Sequence, residues 1–134
     1  MAAGRGADRL TASDDPRRPK DPGPEAGAVL CRLEDLPDPG AKGFTFRRGE
    51  DLFQGFIVRR GGQVWGYLDR CPHIGFPLAF APDRYLTREG DYILCSGHGA
   101  LFRLEDGACV AGPCAGKGLR PWPVTVDVGE VRTR

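Results

Sequence analysis

Two apolar runs separated by a pair of glycines indicate the fold, since residues 53–68 read FQGFIVRRGGQVWGYL. Glycine adopts the positive φ angles of a type I′ turn, which joins two antiparallel strands through two residues. The stretch therefore predicts a β-hairpin centred on the glycine pair. Its register sets Val58 opposite Trp65 and Phe56 opposite Tyr67, so that both pairs pack on one face of the hairpin.

Composition extends this prediction to the rest of the chain. Among 134 residues there are 20 Gly and 12 Pro, and both residue types are unfavourable inside helices. The length fits one domain. Other short apolar runs predict further strands, at residues 28–33, 44–46, 92–94, 100–104, 109–110, 124–128 and 131–132. Eight to ten short strands without a helix indicate a small all-β domain, sandwich-like in architecture.

The first 28 residues differ from the remainder. They contain one Leu, no aromatic residue, and neither Ile nor Val, while prolines and charges recur throughout. Such a segment buries too little apolar surface to offset the entropy lost on ordering. We therefore expect a disordered N-terminal tail at 1–28 and a folded domain at 29–134.

Charge and cysteine content exclude several classes of protein. Lys and Arg number 19 against 18 Asp and Glu, which leaves no basic field for nucleic acid or for a membrane surface. No apolar stretch is long enough to span a bilayer, and the N-terminus lacks the apolar core of a secretory signal. Five cysteines, an odd count, do not suggest a disulfide framework. These features predict a cytoplasmic protein with reduced thiols.

Both histidines of the chain pair with a cysteine at short spacing, in Cys71-Pro72-His73 and in Cys95-Ser96-Gly97-His98. Each pair lies in a Gly/Pro-rich loop that follows an apolar strand. Thiolate and imidazole together are ligands for transition metals. Ligand type alone leaves two interpretations open, a Cys2His2 zinc site and a Rieske 2Fe-2S cluster. One cysteine and one histidine in each loop is the distribution that a Rieske site requires.

At these loops the sequence resembles the Rieske 2Fe-2S family. The matching segments are CPHIGFPL at residues 71–78 and CSGHGALF at residues 95–102, and Gly112-Pro113 is similar to the proline loop that covers the cluster in that family. The resemblance implies an antiparallel β-sandwich with the cluster-binding loops at one end. It also implies one-electron transfer as the activity.

The same resemblance implies the ligand set of the 2Fe-2S cluster. Cys71 and Cys95 would bind one iron, and His73 and His98 would bind the other, near the surface. No catalytic residue is expected, because a complete Rieske oxygenase subunit needs a further iron held by two more histidines.

Departures from the respiratory and photosynthetic members place the chain in the soluble, ferredoxin-like branch that serves oxygenases. The positions of the extra disulfide cysteines hold Phe76 and Gly97, and those of the Ser and Tyr donors hold Ala100 and Phe102. An N-terminal membrane anchor is also lacking. The 21 residues between His73 and Cys95 are many for this branch, which suggests an insertion at residues 80–90.

The sequence thus predicts a soluble one-electron carrier that delivers electrons to an oxygenase or a related redox enzyme. Its partners would be a reductase and a terminal acceptor, with no nucleic acid and no membrane. Two alternatives are a zinc-binding structural module and a cluster-bearing redox-regulatory subunit.

Overall fold

The computed structural model describes residues 2–3, 5–6, 24–72, 77–79, 83–97, 99–113 and 116–134. In chain order the strands are β1 (Ala2–Ala3), β2 (Arg5–Gly6), β3 (Val29–Arg32), β4 (Gly40–Arg48), β5 (Asp51–Arg60), β6 (Gln63–Leu68), β7 (Tyr92–Leu94), β8 (Leu101–Arg103), β9 (Cys109–Ala111), β10 (Val124–Asp127) and β11 (Glu130–Thr133). One turn of 3-10 helix, Leu33–Asp35, follows β3. Among the described residues, no helix has the length and hydrophobicity needed to span a bilayer.

Three antiparallel sheets of three strands each form the body of the protein. Their strand orders are β4-β5-β6, β7-β8-β9 and β10-β11-β3, while β1 and β2 form a separate short parallel pair. The all-β fold class expected from the sequence is confirmed. No described residue lies in an α-helix, which agrees with the high content of glycine and proline.

The hairpin of β5 and β6 has the predicted register. Phe56 lies opposite Tyr67, and Val58 lies opposite Trp65. The turn differs from the expected type I′, which needs positive φ at both central residues. Only Gly61 has positive φ, at 63°, and this is the pattern of a type II′ turn.

The sheet β4-β5-β6, which we call the central sheet, lies between two cores. Side chains alternate along a strand, so neighbouring residues of β5 point into different cores. Phe56 and Val58 of β5 point into one core, which also contains Ile93 and Phe102 of the β7–β9 sheet. Ile57, between them in sequence, points into the second core with the third sheet. The cysteines of the two metal-ligand motifs belong to the first core, so the candidate site packs on the face of the central sheet that carries Phe56 and Val58.

The chain immediately before β3 is hydrogen-bonded to the C-terminal strand. The Thr133 hydroxyl donates to the carbonyl oxygen of Glu25 at 2.5 Å and accepts from the amide of Ala28 at 3.0 Å. The amide of Gly27 donates to the carbonyl oxygen of Thr133 at 2.9 Å. Thr133 is 4% exposed, so water contributes little to satisfying these groups.

A pair of deletions tests where the folded unit begins. Removing residues 1–23 is expected to leave the thermal midpoint unchanged, because these hydrogen bonds remain. Removing residues 1–28 deletes several bonds worth about 1 kcal/mol each, and should lower the midpoint by about 5 °C or more. Differential scanning calorimetry measures both. Equal midpoints in the two variants would contradict a structural role for residues 24–28.

Candidate metal centre

Cys71 and Cys95, predicted as ligands from separate motifs, lie in the same buried cluster of side chains. Each is 1% exposed. Cys71 follows β6 after two residues, and Cys95 follows β7 directly. We call residues 71–77 the first cysteine loop and residues 95–99 the second cysteine loop. The fold thus places two thiols from distant parts of the sequence in one apolar environment.

The second cysteine loop is closed by its own backbone. The amide of Cys95 donates to the carbonyl oxygen of Ala100 at 2.9 Å, and the amide of Gly99 donates to the carbonyl oxygen of Cys95 at 2.9 Å. Gly99 has φ of +73°, a conformation that glycine adopts without strain. These contacts fix both ends of the segment that contains position 98.

The first cysteine loop is closed by a side chain and fastened to the second. Oδ1 of Asp69 accepts a hydrogen bond from the amide of Leu78 at 2.9 Å. The carbonyl oxygen of Leu78 accepts one from the amide of Ser96 at 2.8 Å. Leu78 is fully buried in the cluster that contains both cysteines. Both loops are therefore held by hydrogen bonds that need no metal.

The segment that resembles a proline loop packs against Ala100, the residue that follows the second cysteine loop. Gly112 follows β9 with φ of +98°. A Cβ at this position would lie 2.7 Å from Cα of Ala100, so only glycine allows this approach. Pro113 is exposed. Gly112 therefore lies beside Ala100, and the covering of a cluster by this loop stays a prediction.

His73 and His98, the other two predicted ligands, lie outside the described residues, as do Phe76 and Cys114. In the part of the chain that the structure describes, no group of three or more His, Cys, Asp and Glu side chains forms a metal site. Two buried thiols in loops closed by hydrogen bonds nevertheless fit one half of a Rieske ligand set, which needs two cysteines on one iron.

Two further cysteines, Cys31 and Cys109, lie in strands outside the ligand motifs. Cys31 is half-buried in β3 beside the second core, and burial is the main cause that raises the pKa of its thiol. Cys109 is half-buried in β9, and its Sγ lies 3.2 Å from the carbonyl oxygen of Ala111. Cys109 packs against the cluster that contains Cys71 and Cys95.

A comparison with protein families matches residues 27–128 to the Rieske [2Fe-2S] domain. The chain belongs to this family. The match covers both cysteine loops, all strands from β3 to β10 and the segment at Gly112. The family confirms the 2Fe-2S cofactor expected from the sequence. A zinc-binding module, which ligand types alone left open, belongs to other families.

Solved structures of Rieske-type proteins share the fold. The ferredoxin of carbazole 1,9a-dioxygenase from Nocardioides aromaticivorans IC177 is 23% identical, with a TM-score of 0.63 over 81% of this chain and 97% of that chain. The complex of reduced oxygenase and oxidised ferredoxin in carbazole 1,9a-dioxygenase contains a chain that is 24% identical, with a TM-score of 0.61 over 79% of this chain and 90% of the other.

A larger protein matches over part of its length. The terminal oxygenase of carbazole 1,9a-dioxygenase from Nocardioides aromaticivorans IC177 is 25% identical over 78% of this chain but only 29% of its own length, with a TM-score of 0.62. The chain therefore resembles one part of that oxygenase subunit. A comparison with curated proteins gives no match.

Two residues near the site were not singled out by the sequence analysis. Asp69 closes the first cysteine loop, and the hydroxyl of Tyr85 donates to Oδ2 of Asp69 at 2.7 Å. A sequence signal existed for each. Asp69 stands at the end of an apolar strand two residues before Cys71, and Tyr85 is a large aromatic residue in an otherwise mainly polar stretch after residue 82.

Proposed function

We propose that this protein carries single electrons to the terminal oxygenase of an aromatic-ring dioxygenase system. The observation that carries the proposal is the burial of Cys71 and Cys95 in one cluster within a domain of the Rieske family. The similarity to a ferredoxin of carbazole 1,9a-dioxygenase supports the choice of partner, since this chain matches 97% of the length of that ferredoxin.

The ligands follow from the two motifs. Cys71 and Cys95 would hold one iron, and His73 and His98 would hold the other. When bound, the cluster accepts and releases one electron. Neutral imidazole in place of two thiolates lowers the negative charge of the site, and this raises the reduction potential above that of a four-cysteine ferredoxin.

The protein's own residues hold this site rigid and shield it from water. The amide of Ser96 and the carboxylate of Asp69 hold the two loops in place, and Leu78 and Ala100 exclude solvent on the protein side. A rigid environment limits the rearrangement that accompanies each change of charge, which favours fast electron transfer. We place the protein in the cytoplasm, where a reductase supplies the electrons.

Spectroscopy and a partner assay test this proposal together. The purified full chain should contain two irons and two inorganic sulfides and should give the EPR spectrum of a reduced Rieske centre. The reduced protein, mixed in a stopped-flow apparatus with oxidised terminal oxygenase of carbazole 1,9a-dioxygenase, should be reoxidised. Stoichiometric zinc without iron would contradict the cofactor. A cluster that the oxygenase does not reoxidise would favour a regulatory subunit.

The reduction potential is expected near the low end of the Rieske range, at roughly −150 to 0 mV. Ala100 and Phe102, both fully buried, occupy positions where high-potential members have hydroxyl donors. A donated hydrogen bond stabilises the more negative, reduced cluster, so its absence lowers the potential. Protein-film voltammetry at neutral pH measures this value. A potential above about +200 mV would contradict control by these positions.

Adding a donor should raise that potential. We expect Ala100→Ser and Phe102→Tyr to shift the potential upward relative to the wild type. Ala111→Ser is the matched control, because Ala111 is exposed and a hydroxyl there should leave the potential unchanged. An equal shift in the control would show that the effect does not depend on the buried position.

A further inference from the structure

The half-buried carboxylate of Asp69 connects the first cysteine loop to the rest of the protein. Oδ1 of Asp69 accepts from the amide of Leu78, so that the side chain spans the whole loop from one end to the other. The amide of Asp69 donates to the carbonyl oxygen of Gln54 in β5 at 3.0 Å. Asp69 therefore joins the two ends of the loop and also attaches the loop to the central sheet.

The second oxygen of this carboxylate is held by a residue from the gap between the two ligand motifs. The Tyr85 hydroxyl donates to Oδ2 of Asp69 at 2.7 Å. Its ring is 6% exposed and stacks on Phe56, with the ring centroids 4.3 Å apart and the planes 1° from parallel. Burial is the main cause that raises the pKa of Tyr85, followed by the hydrogen bond to Asp69, so the hydroxyl stays protonated and remains a donor.

The backbone of β4 leaves room for this hydroxyl. A Cβ at Gly43 would lie 2.6 Å from Oη of Tyr85, a separation that real side chains do not adopt. The amide of Gly43 also donates to Oδ1 of Asp83 at 2.8 Å. These two contacts place the segment around Tyr85 against the central sheet, where its hydroxyl donates to Asp69.

We propose that Asp69 and Tyr85 are positioning residues for the metal centre, and that the long segment between the ligand motifs serves to supply Tyr85. The pair holds the two ends of the first cysteine loop together, next to Cys71. This role rests on the proposed function, since the loop matters for electron transfer only when its residues bind the cluster.

Tyr67 provides a matched control from the same core. It is 3% exposed, and its hydroxyl donates to the carbonyl oxygen of Leu104 at 2.6 Å. Its ring contacts Phe56 with the centroids 6.0 Å apart. Removal of this hydroxyl deletes a buried hydrogen bond of similar length without touching either cysteine loop.

The test uses the full-length, cluster-loaded protein and the variants Tyr85→Phe, Gly43→Ala and Tyr67→Phe. Loss of visible absorbance in excess chelator gives the rate of cluster release. We expect Tyr85→Phe and Gly43→Ala to accelerate release about tenfold, since each disrupts a hydrogen bond to a charged group. Both should also alter the EPR g values. Tyr67→Phe should lower the thermal midpoint but change the release rate less than about twofold.

Two substitutions of Asp69 separate geometry from charge. An amide can still accept from the amide of Leu78 while its own NH2 group donates to the Tyr85 hydroxyl, so Asp69→Asn should release the cluster at nearly the wild-type rate. Asp69→Ala should release it as fast as Tyr85→Phe or faster. Loss of the negative charge in Asp69→Asn should shift the midpoint potential upward, because the added electron meets less repulsion.

Two failures can be distinguished. If Tyr85→Phe matches Tyr67→Phe in release rate and EPR spectrum while the wild type carries its cluster, the positioning role is wrong and the proposed function stands. If the wild type contains neither iron nor sulfide, the proposed function is overturned and the positioning role with it.

Discussion

Alanine in place of His98, or cysteine in place of His73, is expected to abolish the native EPR signal of the reduced protein. Each change removes one of four ligands, and a Rieske spectrum depends on two imidazoles at one iron. Iron and sulfide content should fall to a small fraction of the wild-type value for His98→Ala. This is the largest effect that we expect from any single substitution, and EPR spectroscopy with metal analysis measures it.

Serine in place of Cys109 is the matched control for these ligand variants. Cys109 is half-buried in β9 and lies outside both ligand motifs, so the variant should retain the wild-type spectrum. Cluster binding also contributes to folding stability, because the ligands are presented together only in the folded chain. We therefore expect a lower thermal midpoint for His98→Ala than for Cys109→Ser. A ligand variant with an unchanged spectrum would show that the assignment is wrong.

Alanine in place of Gly112 should cause the second largest loss, and here the effect is on stability. Gly112 has φ of +98°, and its Cβ would lie 2.7 Å from the backbone of Ala100. Backbone strain and displacement of the loop together should cost about 2–4 kcal/mol. The loop would also move away from the second cysteine loop, so we expect faster loss of the cluster in chelator.

Gly116 separates the two contributions to this loss. Its φ is +88°, but a Cβ there meets no atom within 4 Å. Gly116→Ala should therefore cost only the backbone strain, about 1 kcal/mol. Urea denaturation of both variants gives the difference. Equal losses would mean that the close approach between Gly112 and Ala100 contributes nothing to stability.

Local sequence patterns predicted most of the fold because each strand carries its own signal. The pairing of Phe56 with Tyr67 follows from a two-residue turn and from alternation along the strands. Strand β4 was predicted only at 44–46, yet it extends from Gly40 to Arg48. Its ends are polar or glycine-rich and form strand because β5 beside them offers hydrogen-bonding partners, which local sequence does not reveal.

The division of the strands into three sheets could not be predicted from the sequence either. Ile57 and Phe56 are adjacent and both fully buried, which shows that β5 is covered on both faces. The sequence of β5 carries apolar residues at neighbouring positions, but the sheet that covers each face comes from distant segments. Which segments meet depends on the packing of the whole chain.

The type of metal site could be predicted from the sequence, but the residues that position its loops could not. Cysteine and histidine at short spacing are rare enough to point to metal binding by themselves. The contact between Asp69 and Tyr85 joins residues 16 positions apart across a loop. Aspartate and tyrosine are common residues, so no spacing rule distinguishes this pair. Only the fold, which stacks Tyr85 on Phe56, brings its hydroxyl to the carboxylate.

The hydrogen bond between Gly27 and Thr133 has a practical consequence for attaching the protein to a surface. It brings the start of β3 and the end of β11 to the same end of one sheet, on the side of the central sheet that carries Ile57. Cys71 and Cys95 lie on the other side, with Phe56. An affinity tag added after Arg134 would therefore immobilise the protein on an electrode with its redox end directed toward the solution.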